Sequence, residues 1–374
     1  MKKLGFGMMR LPLTDPKVQG SVDLSRVCAM VDAFLERGYT YFDTAFMYHG
    51  GESEHVVRRT LVERHPRDCF TLADKMPLFH FKPEDTARRQ EEIFAEQLEK
   101  CGVDYFDYYL LHSLTAESYE TAGRLDTFAF LSRKKAEGKI RHLGFSFHDK
   151  ADVLDRILRE HPEAEFVQLQ INYLDWEDER VQSRKCYETV RRHGRQVVIM
   201  EPVKGGKLAS LPEEAAAPLR EAHPDWSPAS WALRFAAGLD GVMAVLSGMS
   251  TMEQLLENTG FMDAPAPLTD GERTILEGTA GVLSALPAIP CTACRYCVDG
   301  CPRSIPIPEY FSLYNDDQQA LRQGRGASRA RYEELAAAGG RASACVACRQ
   351  CEQQCPQHLP ITQWLEKVKK TYEG

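Results

Sequence analysis

Asp43, Tyr48, Lys75 and His112 are side chains of complementary chemistry, each placed where an apolar run breaks off. Tyr41-Phe42-Asp43-Thr44-Ala45 leads into a turn holding Tyr48. Lys75 ends the run that starts at Phe70-Thr71-Leu72-Ala73, and His112 ends Tyr108-Tyr109-Leu110-Leu111. The set suits proton transfer to a carbonyl oxygen that gains charge. A free phenol titrates at about pH 10 and gives up its proton reluctantly at neutral pH. An ammonium beside it favours the phenolate, and a carboxylate keeps that ammonium charged and in place. An imidazole can then orient the carbonyl or donate to it. Any one of the four reads equally well as an ordinary strand-end residue. Their occurrence together, in order, at three successive strand ends is what points to chemistry.

A second set is denser. Cys291-x2-Cys294-x2-Cys297-x3-Cys301-Pro302 recurs as Cys345-x2-Cys348-x2-Cys351-x3-Cys355-Pro356. This is the two-cluster pattern of [4Fe-4S] centres, in which three cysteines of one motif and the fourth of the other ligate each cluster. Two structural zinc sites are the alternative, although zinc sites usually come as separated Cys-x-x-Cys pairs. Of 12 cysteines only Cys28, Cys69, Cys101 and Cys186 lie elsewhere, scattered singly, so a cofactor in a reducing compartment is favoured over a disulfide framework.

The elements that must hold these residues alternate. Strand-like runs fall near Lys3 to Leu11, Tyr39 to Ala45, Cys69 to Met76, Tyr105 to His112, Ile140 to Phe147, Phe166 to Tyr173, Gln196 to Val203 and Gly241 to Gly248. Amphipathic helical stretches separate them: Leu24 to Arg37, Glu84 to Cys101, Tyr119 to Gly138, Val153 to Glu160, Glu179 to His193, Pro228 to Ala237 and Met252 to Phe261. Eight strand runs alternating with helical stretches predict a (β/α)8 TIM barrel, whose chemistry sits at the C-terminal ends of the strands. That is where the first set stands. The expected layout is a barrel over 1–264, a linker or packing helix over 265–286, and a small, mainly helical iron–sulfur domain over 287–374. The 43 residues between Cys301 and Cys345 exceed a minimal hairpin and read as helices from Pro308 to Asn315 and Ala327 to Ala338.

Composition agrees with soluble small-molecule work. A net charge of -8 offers no basic field for nucleic acid, and no long apolar stretch invites a membrane. The N-terminal Met1-Lys2-Lys3-Leu4-Gly5-Phe6-Gly7 is followed by no apolar core or cleavage site, so a cytoplasmic protein is the expectation.

The tetrad, in this order and setting, resembles that of the aldo-keto reductases, and with the cysteine motifs the whole chain resembles the subfamily carrying a C-terminal two-cluster ferredoxin-type domain. The resemblance implies that Tyr48 is the general acid/base, supported by Asp43, Lys75 and His112, and that NAD or NADP lies across the barrel mouth. Ser146 and Gln170 correspond to the residues holding the carboxamide, Met200 stands where an aromatic ring usually stacks, and Pro202, Gly205, Gly206 and Lys207 lie in the loop over the pyrophosphate. Ser247, Gly248, Met249, Gln254, Glu257 and Asn258 resemble the adenosine end. Where NADPH-preferring members carry a Lys and an Arg for the 2′-phosphate, this chain has Gly248 and Gln254, which shifts the expectation toward NAD or another hydride source. Met9, Phe46, Phe79, Leu114 and Trp176 are the matching pocket residues, an apolar set suited to an aldehyde, ketone or modest alcohol. His148 is a further candidate substrate contact, while His80 and His161 read as structural or pocket-lining.

Three functions fit. The chain is a nicotinamide-dependent carbonyl reductase or alcohol dehydrogenase whose clusters carry electrons or dock a partner; a redox subunit coupled to a ferredoxin or flavoprotein; or a non-catalytic electron-transfer or assembly subunit. The intact tetrad favours the first two.

Overall fold

The computed structural model describes residues 2–16, 18–322 and 328–374. Strands β1 (Leu4–Gly7), β2 (Tyr41–Asp43), β3 (Thr71–Met76), β4 (Phe106–Leu114), β5 (Ile140–Phe147), β6 (Phe166–Gln170), β7 (Gln196–Met200) and β8 (Val242–Ser247) close in chain order into a parallel barrel, with β8 pairing on β1. All eight expected strands are present. Several are shorter than the apolar runs that announce them, because the run continues into the loop. Met8–Arg10 forms a 3-10 turn after β1, and β6 gives way to a turn in which Asp175 N donates to Asn172 Oδ1 at 2.9 Å.

Helices follow as α1 (Leu24–Glu36), α2 (Ser53–Val57), α3 (Ala87–Cys101), α4 (Ala116–Arg124), α5 (Thr127–Ala136), α6 (Ala151–Glu160), α7 (Ser183–Arg192), α8 (Glu213–Ala222), α9 (Pro228–Ala237), α10 (Met252–Phe261) and α11 (Asp270–Ser284). The single helix expected over Tyr119 to Gly138 is two. It breaks where Asp126 adopts a left-handed φ of 54° and the Leu125 carbonyl accepts from Gln90 Nε2 at 2.8 Å. The short α2 carries no sequence signature, being only one and a half turns long.

The barrel interior explains how the polar residues are aimed. Tyr41, Ala73, Leu110, Phe166 and Val198 pack together as an apolar layer with Ala244 and Leu246. Side chains alternate along a strand, so the residues two places on share the same face. Those are Asp43, Lys75, His112, Gln168 and Met200, one layer nearer the C-terminal ends. On β5, a Cβ at Gly144 would lie 2.4 Å from the Phe166 carbonyl, so only glycine fits beside that strand, and Ser146 follows two places later.

The chain divides into two compact units, Met1–Val203 with Trp226–Arg273, and Lys204–Asp225 with Thr274–Gly374. The second contains α8 and, beyond α11, α12 (Tyr296–Asp299), α13 (Ile307–Arg322), α14 (Arg329–Ala338), α15 (Gln350–Gln353) and α16 (Ile361–Tyr372). Its core is built on Ile289, Ile305, Tyr310, Phe311, Tyr332 and Leu365. Both interhelical expectations between the cysteine motifs are met by helices, α13 and α14; Ala327, the expected start of the second, lies outside the described residues. The two motifs are backbone copies. Left-handed residues recur at matching offsets, Ala293 and Ala347, Arg295 and Arg349, Ser304 and His358, and each motif holds one short helix, α12 or α15. No helix among the described residues is long and apolar enough to cross a membrane.

Candidate active site

Lys75 is 0% exposed, and its Nζ donates to Asp43 Oδ1 at 2.6 Å and to the Thr44 carbonyl at 2.6 Å. The same ammonium lies 5.0 Å from the centre of the Tyr48 ring, which meets His112 edge-on with ring centroids 6.1 Å apart. The four residues singled out in sequence therefore meet in one place. Burial pushes the Asp43 carboxyl up while Lys75 pulls it down, with a net rise. Burial and then the positive charge of Lys75 hold His112 well below the ordinary imidazole range, so it is neutral and carries a single N–H. The Phe79 ring approaches His112 at 5.3 Å and Phe46 approaches His80 at 5.7 Å, giving the site an aromatic wall.

The turn bearing Tyr48 is fixed by His49, which sequence reasoning passed over. Its Nε2 accepts from Leu11 N at 3.3 Å, and its Nδ1 lies 3.1 Å from the Gln19 carbonyl, so the loop after β2 is tied to the loop after β1. A histidine directly after the tyrosine was the only available signal. Also missed was the group of buried polar side chains behind Lys75, in which Asp74, Glu54 and Gln97 meet. Asp74 inside an otherwise apolar strand run was the clue.

The expected cofactor positions fall into two groups. In the first unit, Ser146 Oγ accepts from Ser113 N at 2.7 Å, Gln170 Nε2 donates to the buried Asp175 at 2.8 Å, and Met200 Sδ lies 3.5 Å from Gln168 Nε2. Pro202 is buried, and Met249 is wholly buried. Ser247 and Asn258 bond each other at 3.2 Å, Gln254 Oε1 accepts from Ser250 N at 2.8 Å, and Glu257 is exposed. Gly248 sits against Arg10, whose Cβ would be 3.1 Å from an added Cβ, and Arg10 pairs with Glu201 at 3.5 Å. The second group, Gly205, Gly206 and Lys207, belongs to the cysteine-containing unit. There Lys207 Nζ donates to the Ile289 carbonyl at 2.6 Å, and Gly205, at φ 64°, leaves only 2.5 Å between an added Cβ and the Thr292 carbonyl. Of the pocket candidates, Leu114 closes β4 fully buried, and Trp176 packs edge-on against Phe235 at 5.5 Å. His161 stacks on Phe128 at 3.6 Å, a packing role.

The eight motif cysteines line two cavities. Cys291, Cys294 and Cys297 share the first with Cys355, and Cys345, Cys348 and Cys351 share the second with Cys301. Each set thus takes its fourth thiol from the other motif. The remaining lining is largely apolar, with Ile307 common to both. Among the described residues no three His, Cys, Asp or Glu side chains converge on a point that would suit one metal ion. Two four-thiol sets that exchange their fourth member between motifs fit a pair of cubane clusters. Ala293 N, turned by its left-handed φ of 53°, donates to Cys291 Sγ at 3.4 Å, a bond of the kind that stabilises a ligating thiolate.

Comparison with known proteins follows these two halves. The family model described as Aldo/keto reductase family matches residues 3–278, and that described as 4Fe-4S dicluster domain matches residues 290–359. A protein of Escherichia coli (strain K12) named NADH-specific methylglyoxal reductase is 25% identical over 338 residues, spanning 76% of this chain and 99% of its own. Human aldo-keto reductase family 7 member A3 is 33% identical over 130 residues, 33% of this chain and 37% of its own. Among solved structures, an aldo-keto reductase of Bacillus halodurans in its holo form superposes with a TM-score of 0.60 at 26% identity, covering 74% of this chain and 91% of that one. An aldo-keto reductase of Klebsiella pneumoniae, solved with NADPH, shares the fold at 20% identity and a TM-score of 0.56, covering 74% of this chain and 90% of that one.

Proposed function

The chain belongs to the aldo/keto reductase family and carries a C-terminal 4Fe-4S dicluster domain, and from that premise we propose that it interconverts a carbonyl compound and an alcohol with Tyr48 as general acid/base. We assign this chemistry to residues 1–264 and the clusters to 287–374, with 265–286 between them. The nicotinamide cofactor, when bound, supplies or accepts the hydride. The observation that carries the reading is the buried ammonium of Lys75, bonded to Asp43 at 2.6 Å and 5.0 Å from the Tyr48 ring. During reduction the Tyr48 hydroxyl gives its proton to the carbonyl oxygen as that oxygen gains charge. Lys75 stabilises the phenolate left behind, and Asp43 keeps Lys75 in place. Neutral His112 offers its single N–H to the same oxygen and orients it. In the reverse direction the phenolate takes the alcohol proton.

We propose NADH as the cofactor. Support comes from Gly248 and Gln254, neither of which offers a cation, and from Arg10, the nearby guanidinium, which is already paired with Glu201. The Escherichia coli relative is named for NADH and methylglyoxal, which makes a small 2-oxoaldehyde the first substrate to try. Replacing Tyr48 with Phe should lower kcat by about 10²- to 10⁴-fold. Undiminished turnover in Tyr48→Phe would remove the general-acid assignment. A second reading, that the clusters exchange electrons with a ferredoxin or flavoprotein, is favoured by the second cavity, where Cys348 is exposed and the neighbouring Val346 is 51% exposed. Cluster bleaching by NADH in the isolated protein would mean that barrel and clusters share electrons without such a partner.

A further inference from the structure

We propose that Asp74, Glu54 and Gln97 are positioning residues that clamp the main chain of Lys75 from outside the barrel, and that one proton held between the two acids keeps this clamp closed. The proposal rests on the reading of Lys75 as part of the reacting tetrad.

Asp74 precedes Lys75 on β3, so its side chain points away from the barrel interior, toward α2 and α3. Asp74, Glu54 and Gln97 are all fully buried. Asp74 Oδ1 accepts the Lys75 N–H at 2.8 Å, and Gln97 Nε2 donates to the Lys75 carbonyl at 3.0 Å. Both main-chain polar groups of Lys75 are thus held by this cluster. Gln97 Nε2 also donates to Glu54 Oε1 at 3.0 Å, and Tyr109 OH donates to Gln97 Oε1, which fixes the amide orientation. Every bond of the clamp therefore leads back to the peptide on which Lys75 is mounted.

The two acids interact side chain to side chain, and α2, α3 and β4 turn few compensating charges toward them. Lys100 Nζ is 3.5 Å from Glu54 Oε2, and the ammonium of Lys75 lies on the opposite face of β3. Cys101 Sγ is 3.8 Å from Asp74 Oδ2, with its thiol pushed well up by burial and the adjacent acids, and the Tyr109 phenol is likewise pushed up. Neither supplies positive charge. Two buried carboxyls with one nearby cation share a single proton, because both cannot ionise without facing each other as like charges. Burial, followed by the charge of Glu54, holds Asp74 well above the usual carboxylate range, so the proton resides there. Rising pH removes it, the acids repel, and the peptide carrying Lys75 loses its fixed position.

A purely structural role would change stability alone, so the test reads pH dependence and the split between kcat and KM. In the full-length, cluster-loaded protein, kcat and KM for methylglyoxal and NADH are measured from about pH 6 to 10 for the parent, Asp74→Asn and Gln97→Leu. Asp74→Asn keeps the shape and cannot ionise. It should stay within about twofold of parental kcat at neutral pH, and its alkaline decline should move to higher pH, keeping only the part owed to loss of the Tyr48 proton. Gln97→Leu should lose about 10²-fold in kcat with little change in KM, as expected when a catalytic group is displaced by a fraction of a bond length or more. An alkaline decline in Asp74→Asn identical to the parent's, or parental kcat in a Gln97→Leu protein of normal circular dichroism, overturns the proposal. If Gln97→Leu does not fold, the Asp74→Asn profile decides alone. Failure of the tetrad reading looks different, since it shows as an active Tyr48→Phe protein.

Discussion

Removing one partner from the Asp43–Lys75 pair should cost far more stability than removing both. Their charges are 2.6 Å apart with side chains 3% and 0% exposed. At an effective dielectric of about 20 the gross attraction at that distance is about 6 kcal/mol, most of it offset by the loss of hydration on burial. Replacing Asp43 with Val leaves the ammonium buried with only the Thr44 carbonyl as a bonded acceptor. A stranded buried charge of this kind costs about 3–5 kcal/mol. At roughly 2–4 °C per kcal/mol for a barrel-sized domain, Tm should fall by on the order of 10 °C. Lys75→Met should cost a similar amount, because it strands Asp43. The double variant Asp43→Val/Lys75→Met should return to within about 1 kcal/mol of the parent while remaining inactive. The assay is urea or thermal unfolding followed by tryptophan fluorescence, with visible cluster absorbance as a separate reporter of the second unit. The reasoning fails if either single variant loses less than about 1 kcal/mol, or if the losses simply add in the double variant.

Further outcomes follow from other parts of the molecule. With clusters loaded, the parent should hold about eight irons per chain. Cys291→Ser/Cys355→Ser should then retain about four, whereas Cys345→Ser/Cys355→Ser should lose nearly all; an iron assay giving the reverse order would show that each motif ligates its own cluster. His112 is held neutral in the folded state, so the unfolded chain binds the proton more readily. Its contribution to stability is complete above about pH 6.5 and is lost as pH falls toward the depressed folded value. The stability difference between the parent and His112→Asn should therefore change by up to about 1.4 kcal/mol per pH unit below that point, and parallel pH–stability curves would count against a buried neutral imidazole. Gly205→Ala should destabilise the second unit by about 1–3 kcal/mol, since the new Cβ meets the Thr292 carbonyl at 2.5 Å, while Gly206→Ala, left-handed but with nothing within 4 Å, is the control. The rate at which cluster absorbance decays in urea measures both, and equal rates would refute the steric argument.

The barrel was legible because its strands are apolar runs with a repeating spacer, and β5 and α9 fall on the expected residues. The tetrad was legible for the same reason: strand ends are where an apolar run stops, so a polar residue there stands out. Residues that act from behind the barrel carry no such mark. Asp74 is one position before Lys75, and only the alternation of a strand assigns them to opposite faces. Glu54 and Gln97 reach it from α2 and α3, 20 and 23 residues away in sequence, with ordinary helical neighbours. The loop around Gly205 reads in sequence as a phosphate-binding turn. Its bonds to Ile289 and close approach to Thr292 depend on a segment more than 80 residues later, which no local pattern encodes. The cysteine spacing, by contrast, states its own chemistry, and even the exchange of the fourth thiol follows from it.

That exchange makes the two cysteine motifs interdependent during biosynthesis. Cys291, Cys294 and Cys297 are translated long before Cys355 completes their cavity, and Cys301 waits equally for the second triplet. Neither repeat is a portable module, since excising one strips a ligand from the other. A chain that ends before Cys351 therefore has no complete four-thiol set, and one that ends between Cys351 and Cys355 has only the second.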